Sequence, residues 1–332
     1  MSELLFTAAI ARTLAEEMRR DPNVFCMGED IAMLGGIFGA TRGLLAEFGP
    51  ERVRDTPISE GAIFGSALGS ACCGLRPVVD MMYMDFIMVA LDQLVNQIAK
   101  TRYMFGSHCT VPLVIRAQQG VGTGNAANHS QCYESIVSHF PGLKIVIPSS
   151  AADEVGLLRT AIRDDNPVVI FESKKLYKFP KWQVPDDPEY MIPFGKANIV
   201  KNGTDITIVA TSTYVHRALE AASILEKNGI SAEIIDPRTL VPLDIDTICS
   251  SVVKTGHILT VHEDFAFCGW GAELNQQVTE NAFRWLDAAP ARLGALSVPI
   301  PFSPELENAV IPSVKQIVDA CAKLLNLDKS IL

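Results

Sequence analysis

A single carboxylate, Glu60, stands at the junction of two unlike stretches: Asp55-Thr56-Pro57-Ile58-Ser59 before it, and a run of glycine and small residues from Gly61 to Gly74 after it. A proline-stiffened approach followed by small residues reads as the start of a close-packed helix, which predicts a buried side chain. Burying a carboxylate without a partner costs several kcal/mol or forces it to take up a proton, so its presence needs a reason. One reason is local: Ser59 caps the helix and the helix dipole favours the charge behind it. The other is chemical, because a buried carboxylate can act as a general acid or base.

Two further groups stand in similar places. The apolar run Val24-Phe25-Cys26-Met27 reads as a short strand that delivers Gly28-Glu29-Asp30, and acidic residues at the carboxyl end of a strand in an α/β protein stand where ligands bind. A solvated loop is the alternative. The third group is His129, on a loop of Gly, Ala and Asn from Ala117 to Gln131 that follows the strand Pro112 to Arg116. A lone histidine is usually structural, but this one has no large neighbour to pack beside and no apolar face to fill, which leaves a functional role open.

The elements that would hold these groups alternate regularly. Apolar residues at Ala8, Ile10, Ala11, Leu14 and Met18 predict a helix over Thr7 to Arg20, closed by Asp21-Pro22. Further helices are expected over 40–48, 88–105 and 153–163, with strands at Arg76–Met82, Lys144–Ser149 and Val168–Glu172 between them. The order strand, helix, strand predicts a parallel sheet covered on both faces. A proline-rich stretch, Tyr177 to Pro193, then breaks the pattern and reads as a linker. Beyond it the alternation restarts, with strands at 205–211, 231–236, 257–261 and 291–296 and helices at 215–228, 246–255, 271–283 and 314–325. The expectation is two doubly wound α/β domains, 1–180 and 195–332, joined through 181–194. No internal sequence repeat links the halves.

Bulk properties narrow the function. At 332 residues the chain suits two domains. A net charge of −10 with no dense Lys/Arg cluster argues against nucleic acid. The longest apolar stretch, Met81 to Leu91, is interrupted by Asp85 and is too short to span a bilayer. Eight scattered cysteines without a C-x-x-C pair read as free thiols in a reducing compartment, and the expected location is cytoplasmic. At 48% hydrophobic residues the composition leans towards an oligomer with a covered apolar surface. The Gly-Gly-x-x-Gly near residue 35 lacks the form of a nucleotide fingerprint.

Four motifs occur together in a recognisable combination: Gly28-Glu29-Asp30, Asp55-Thr56-Pro57-Ile58-Ser59-Glu60, Asn128-His129-Ser130-Gln131 and Asp236-Pro237-Arg238-Thr239-Leu240. With Pro141-Gly142-Leu143-Lys144 and the segment 161–167 also in register, the chain resembles, over nearly its whole length, the beta subunit of the thiamine-diphosphate-dependent first component of 2-oxo acid dehydrogenase complexes. That family includes the acetoin, pyruvate and branched-chain 2-oxo acid enzymes. The resemblance implies a thiamine-diphosphate-binding (pyrimidine-type) domain followed by a transketolase C-terminal-like domain.

It also implies roles. Thiamine must lose a proton from its thiazolium carbon, and its aminopyrimidine can take that proton only if the opposite ring nitrogen is held protonated. Glu60 matches the carboxylate that does this, Phe86 the aromatic stacked on the pyrimidine, and Ile58 a residue of the same wall. His129 matches a histidine facing the substrate or the incoming lipoyl group. Glu29 matches an acidic member of a proton path between paired sites, though the same carboxylate would also serve in an ion pair. Leu113, Ala161, Ile162, Asp164 and Asn166 match the positions that hold a potassium ion. Asn128 stands where the family often carries glutamine or tyrosine.

The Gly-Asp-Gly…Asn-Asn motif of thiamine enzymes for diphosphate and magnesium is absent from the sequence. The resemblance therefore implies half of an active site: an alpha subunit would supply the diphosphate pocket and magnesium in an α2β2 assembly, with thiamine diphosphate shared between chains. A lipoyl-bearing acyltransferase core is the implied further partner. Arg102-Tyr103-Met104-Phe105-Gly106 and Pro301 to Glu307 look closest to acetoin enzymes, whereas Ile248 to Gly256 and His262-Glu263 look like branched-chain ones. Acetoin is slightly favoured over pyruvate or a branched-chain 2-oxo acid. A noncatalytic scaffold that docks the complex core is the reading from another class.

Overall fold

A computed structural model describes residues 1–327. Residues 328–332, the end of the expected second domain, lie outside the described residues. In chain order the first half runs β1 (Ser2–Leu4), α1 (Phe6–Arg20), β2 (Val24–Gly28), α2 (Leu44–Phe48), β3 (Val53–Asp55), α3 (Glu60–Cys72), β4 (Arg76–Tyr83), α4 (Ala99–Met104), β5 (Val114–Gln119), α5 (Glu134–Ser138), β6 (Lys144–Val146), α6 (Ala151–Arg163), β7 (Val168–Ser173) and β8 (Trp182–Val184). The second half runs β9 (Asn198–Lys201), β10 (Ile206–Ala210), α7 (Thr213–Lys227), β11 (Ala232–Asp236), β12 (Thr239–Val241), α8 (Ile245–Thr255), β13 (Ile258–Phe265), α9 (Trp270–Ala282), β14 (Ala291–Ala295), α10 (Pro304–Val310) and α11 (Val314–Leu324).

These elements form two compact units, and the division is not a single cut. One unit comprises Met1–Gln119 and Ile136–Phe194; the other comprises Gly120–Ser135 and the chain from Gly195 onward. The segment carrying His129 thus belongs with the second half of the chain.

In the first unit parallel strands are ordered β6-β7-β5-β4-β2-β3. Every residue of β5 and β7 is buried, as expected for central strands covered on both faces. Helix α1 buries Phe6, Ile10, Leu14 and Met18 in one apolar cluster with Val155, Leu158 and Ile162 of α6. Each such side chain contributes about 1.5–3 kcal/mol when fully buried. At its start α6 is capped by Ser150, whose hydroxyl accepts from the Asp153 N–H at 3.1 Å.

Three expectations change. The helix expected over 40–48 shrinks to five residues, because Gly39 and Gly43 take φ of 80° and 90° ahead of it. The helix expected over 88–105 is preceded by a 3₁₀ turn, Met84–Met88, and contains a π-helical stretch, Gln93–Ile98, before α4. The proline-rich segment is folded down: β8 pairs antiparallel with β1, Ile192 N–H donates to Gly156 O, and Arg159 donates to the carbonyls of Asp187 and Tyr190.

The buried strands also carry charge. Arg116 grips Glu172 through two N–H···O bonds of 2.7 and 2.8 Å and donates to Asp80 Oδ2 at 3.0 Å. Glu154 lies fully buried nearby, with no donor among the described residues in hydrogen-bonding geometry at either oxygen. Burial first, and the charge of Glu172 next, push its pKa well above the carboxylate range.

In the second unit the sheet order is β14-β13-β10-β11-β9, parallel except for β9. Helices α7 and α11 bury Tyr214, Ala218, Leu225, Ile317 and Cys321 against it. Helix α8 opens on Asp244, which accepts from Thr247 N–H, and ends at Gly256 with φ 69°. No helix among the described residues is long and apolar enough to cross a membrane.

Candidate active site

The first unit brings two of the candidate carboxylates together at the carboxyl ends of neighbouring strands. Glu29 follows β2, and the Thr56 N–H donates to Gly28 O at 3.0 Å, tying the Thr56-Pro57 approach to the same strand end. Gly28 has to be glycine here, since a Cβ would stand 2.5 Å from Asp80 O. Asp55 accepts from Ala32 N–H at 2.7 Å and so holds the loop beyond Glu29.

Glu60 begins α3 and is 9% exposed. Ser59 makes no side-chain cap, with φ −162° and ψ 77°, so local capping does not account for the carboxylate behind it. Glu29 is half-buried; desolvation first, then the charges of Glu60, Asp30 and Asp80, raise its pKa. A cavity of about 360 Å³ lined by Met27, Thr56, Pro57, Ser59, Ala62, Ile63 and Ser66 opens beside these strand ends. The buried Thr56 Oγ1 has no hydrogen-bond partner among the described residues.

Ile58, immediately before the Glu60 turn, is 82% exposed. Phe86 is half-buried on the 3₁₀ turn that follows β4. Both side chains are apolar surfaces of the kind that seats a planar ligand.

His129 is carried by the second unit, on a 3₁₀ turn, Ala127–His129, entered through Ala126 at φ 59°. It is half-buried. A cavity of about 450 Å³ adjoins it, lined by Ala127, Asn128 and Gln131 together with Phe265, Phe267 and the segment Ser297 to Ile300.

The five positions matched to potassium gather around the end of α6 and the start of β5, and their oxygens already have partners. Leu113 O accepts from Val168 N–H at 2.9 Å and Ala161 O from Asp164 N–H at 3.2 Å. Arg76 donates to Ile162 O at 2.9 Å and Asp164 O at 3.1 Å. Asp164 is paired with Lys144 and accepts from Asn166, while Asn166 Oδ1 accepts from Arg102 at 2.6 Å. Burial pushes Asp164 up, but the bonds from Lys144 and Asn166 outweigh it and hold the carboxyl below its usual range.

Sequence reasoning missed the carboxylates of the second unit. Glu263 and Asp264, near the end of β13, and Glu307 on α10 are all buried. Asp264 is raised to about 6 by burial, which outweighs the bonds from Ser135 and Phe265. Its neighbour His262 is fully buried and lowered to about 4 by desolvation; its Nδ1 lies 3.1 Å from Asp264 O and its Nε2 accepts from Gly271 N–H. For Glu263 and Asp264 the position at a strand's carboxyl end was the available signal.

Comparison with known proteins agrees with this architecture. The family model described as the pyrimidine binding domain of transketolase matches residues 2–180, and that of the transketolase C-terminal domain matches 195–317. The chain is 45% identical to the beta subunit of acetoin:2,6-dichlorophenolindophenol oxidoreductase from Cupriavidus necator, over 97% of this chain and 98% of that protein. It is 43% identical to the mitochondrial pyruvate dehydrogenase E1 component subunit beta of Dictyostelium discoideum, over 98% and 92%. Among solved structures, a split-gene transketolase described as an inactive beta4 tetramer superposes with a TM-score of 0.77 at 23% identity, covering 99% of this chain and 100% of that one, which supports the fold. The chain belongs to the family of beta subunits of the thiamine-diphosphate-dependent first component of 2-oxo acid dehydrogenase complexes.

Proposed function

We propose that this chain is the beta half of a thiamine-diphosphate-dependent dehydrogenase, active only with an alpha partner, that cleaves acetoin or decarboxylates a 2-oxo acid and passes the acyl group to a lipoyl carrier. The observation that carries this reading is the pairing of buried Glu60 with Glu29, whose pKa is raised by desolvation and then by the charge of Glu60, at adjacent strand ends, beside a cavity with an unsatisfied Thr56 hydroxyl. These residues fit the aminopyrimidine of thiamine diphosphate, a flat ring with nitrogen donors. When bound, the cofactor supplies the nucleophilic carbon that attacks the substrate carbonyl.

The chain's own residues do the rest. Glu60 would hold a ring-nitrogen proton, Ile58 and Phe86 would seat the ring, and Glu29 would stand in a proton path between paired sites. His129 would exchange a proton with substrate or with the lipoyl group. The alpha partner would supply the diphosphate site and magnesium in an α2β2 assembly in the cytoplasm.

Acetoin is the substrate we favour. Support comes from Arg102 to Gly106, whose Tyr103, Met104 and Phe105 are all exposed at the end of α4, and from Pro301 to Glu307. The experiment is co-purification with the alpha partner, then dye reduction with acetoin, pyruvate and 3-methyl-2-oxobutanoate at saturating thiamine diphosphate and magnesium. Fastest turnover with acetoin is expected; an oxo acid turned over faster overturns the substrate, and no cofactor-dependent turnover with any of them overturns the reading.

For potassium, the cluster of carbonyls with the carboxylate of Asp164 is a hard-oxygen donor set that suits an alkali ion, with Arg76 and Lys144 as competing cations. A melting temperature that is the same in potassium and in choline chloride would remove it.

A further inference from the structure

The loop that bears His129 is closed at its base, where Gly120 N–H donates to Gln131 O at 3.2 Å. Its first arm is held by two buried carboxylates: Glu263 Oε1 accepts from Val121 N–H at 2.6 Å, and Glu307 Oε1 accepts from Gly122 N–H at 2.8 Å. Glu263 is fixed from behind by the Thr213 hydroxyl at 3.4 Å. Its second arm is held by Asp264, which accepts from the Ser135 hydroxyl at 2.9 Å. Val121 is buried with Ala295, Ile300, Val310 and Ile311, so the first arm is fixed by packing as well.

The fit is close. Gly120 has φ 85°, and a Cβ there would stand 2.7 Å from Glu263 Oε1, so backbone and carboxylate approach where only glycine has room. Charge-assisted bonds from a carboxylate to backbone N–H groups are stronger and shorter than neutral ones. Both carboxylates sit out of water, Glu263 at 8% exposed and Glu307 at 3%, a placement with a desolvation cost that surface loops do not require.

We propose that Glu263 and Glu307 are positioning residues for His129: by gripping consecutive backbone amides at Val121 and Gly122 they fix the loop, and through it the place of the imidazole. This rests on the reading that His129 serves the reaction. Neither carboxylate touches substrate in this scheme. Their effect runs through the backbone, where a misplacement of about 1 Å costs on the order of 10²-fold in rate.

The test uses the complex with the alpha partner, carrying Glu263→Gln, Glu307→Gln, the double variant, and His129→Ala in parallel. Hydrogen exchange read by mass spectrometry should show peptides covering 120–135 exchanging faster by about tenfold in the double variant, with peptides of β10 and β11 unchanged. Turnover should fall about tenfold with KM unchanged, and Glu307→Ala should fall further than Glu307→Gln, which keeps an acceptor. Faster exchange with unchanged kcat, while His129→Ala is impaired, overturns the positioning role. Unchanged exchange in the double variant overturns the clamp. Wild-type turnover by His129→Ala overturns the underlying reading instead, whatever exchange shows. Should the double variant fail to assemble, Glu307→Gln alone decides by the same two readouts.

Discussion

The negative charge of Glu60 is felt at Glu29: after desolvation it is the largest influence raising the Glu29 pKa. What is done to the charge of Glu60 is therefore measurable at Glu29.

Replacing Glu60 with Gln removes that charge while keeping the shape of the side chain. The Glu29 pKa is expected to fall towards the ordinary carboxylate range, read by carbon-detected NMR titration of labelled protein. Turnover with the alpha partner should drop by about a hundredfold or more, the scale of lost acid–base catalysis, with assembly intact by gel filtration. Full activity in this variant would remove Glu60 from the chemistry.

The adjacent pair His262 and Asp264 makes an opposed contribution to stability against pH. Asp264 is raised to about 6, so between roughly pH 4 and 6 the folded state holds a proton the unfolded chain has lost, and this group's contribution falls as pH rises. His262 is lowered to about 4, so over much the same window the unfolded chain holds the extra proton, and its contribution rises with pH. The Asp264→Asn variant leaves the histidine unopposed. Urea titrations at pH 4.5, 5.5 and 6.5 should show the variant gaining on the wild type as pH rises, by up to about 1.4 kcal/mol per pH unit. Parallel stability curves would contradict the assignment.

Burial, the first cause, pushes the Glu154 pKa well above the carboxylate range. A group whose folded pKa is raised stabilises fully only below its unfolded pKa, and that contribution is lost as pH rises towards the folded value. Gln in its place should leave stability near pH 4 almost unchanged and raise it increasingly towards pH 8, measured by chemical denaturation. A destabilised variant at pH 8 would mean that Glu154 is ionised and paired after all.

Much of this was legible from residue types. The small-residue run after Glu60 announced helix α3, and the apolar residues that open β5 and β7 announced strands, although β5 runs on through Ala117 to Gln119, polar residues that read as the start of the loop. The pairing of β1 with β8 was not legible, since its register joins Ser2 to Val184 across most of the first unit and neither segment is long enough to carry a period. The 3₁₀ and π turns around Phe86 escaped for a related reason: the apolar spacing there fits a helix, and packing decides which kind. The grip of Glu263 and Glu307 on backbone amides has no sequence signature, because any residue but proline supplies the donor. Arg116 and Glu172 were visible at the ends of their strands, but their pairing was not, because it depends on the two strands lying side by side.

The interleaving of the two units in the chain bears on how the gene can be taken apart. Because Gly120–Ser135 folds with residues far downstream, a fragment ending at Phe194 would retain the loop but lose Glu263, Glu307 and the apolar neighbours of Val121. A fragment beginning at Gly195 would keep those acceptors but lose the Val121 and Gly122 amides that they hold. No single cut yields two whole parts, so recombination between members of this family would have to exchange the insert and the downstream half as one inherited block.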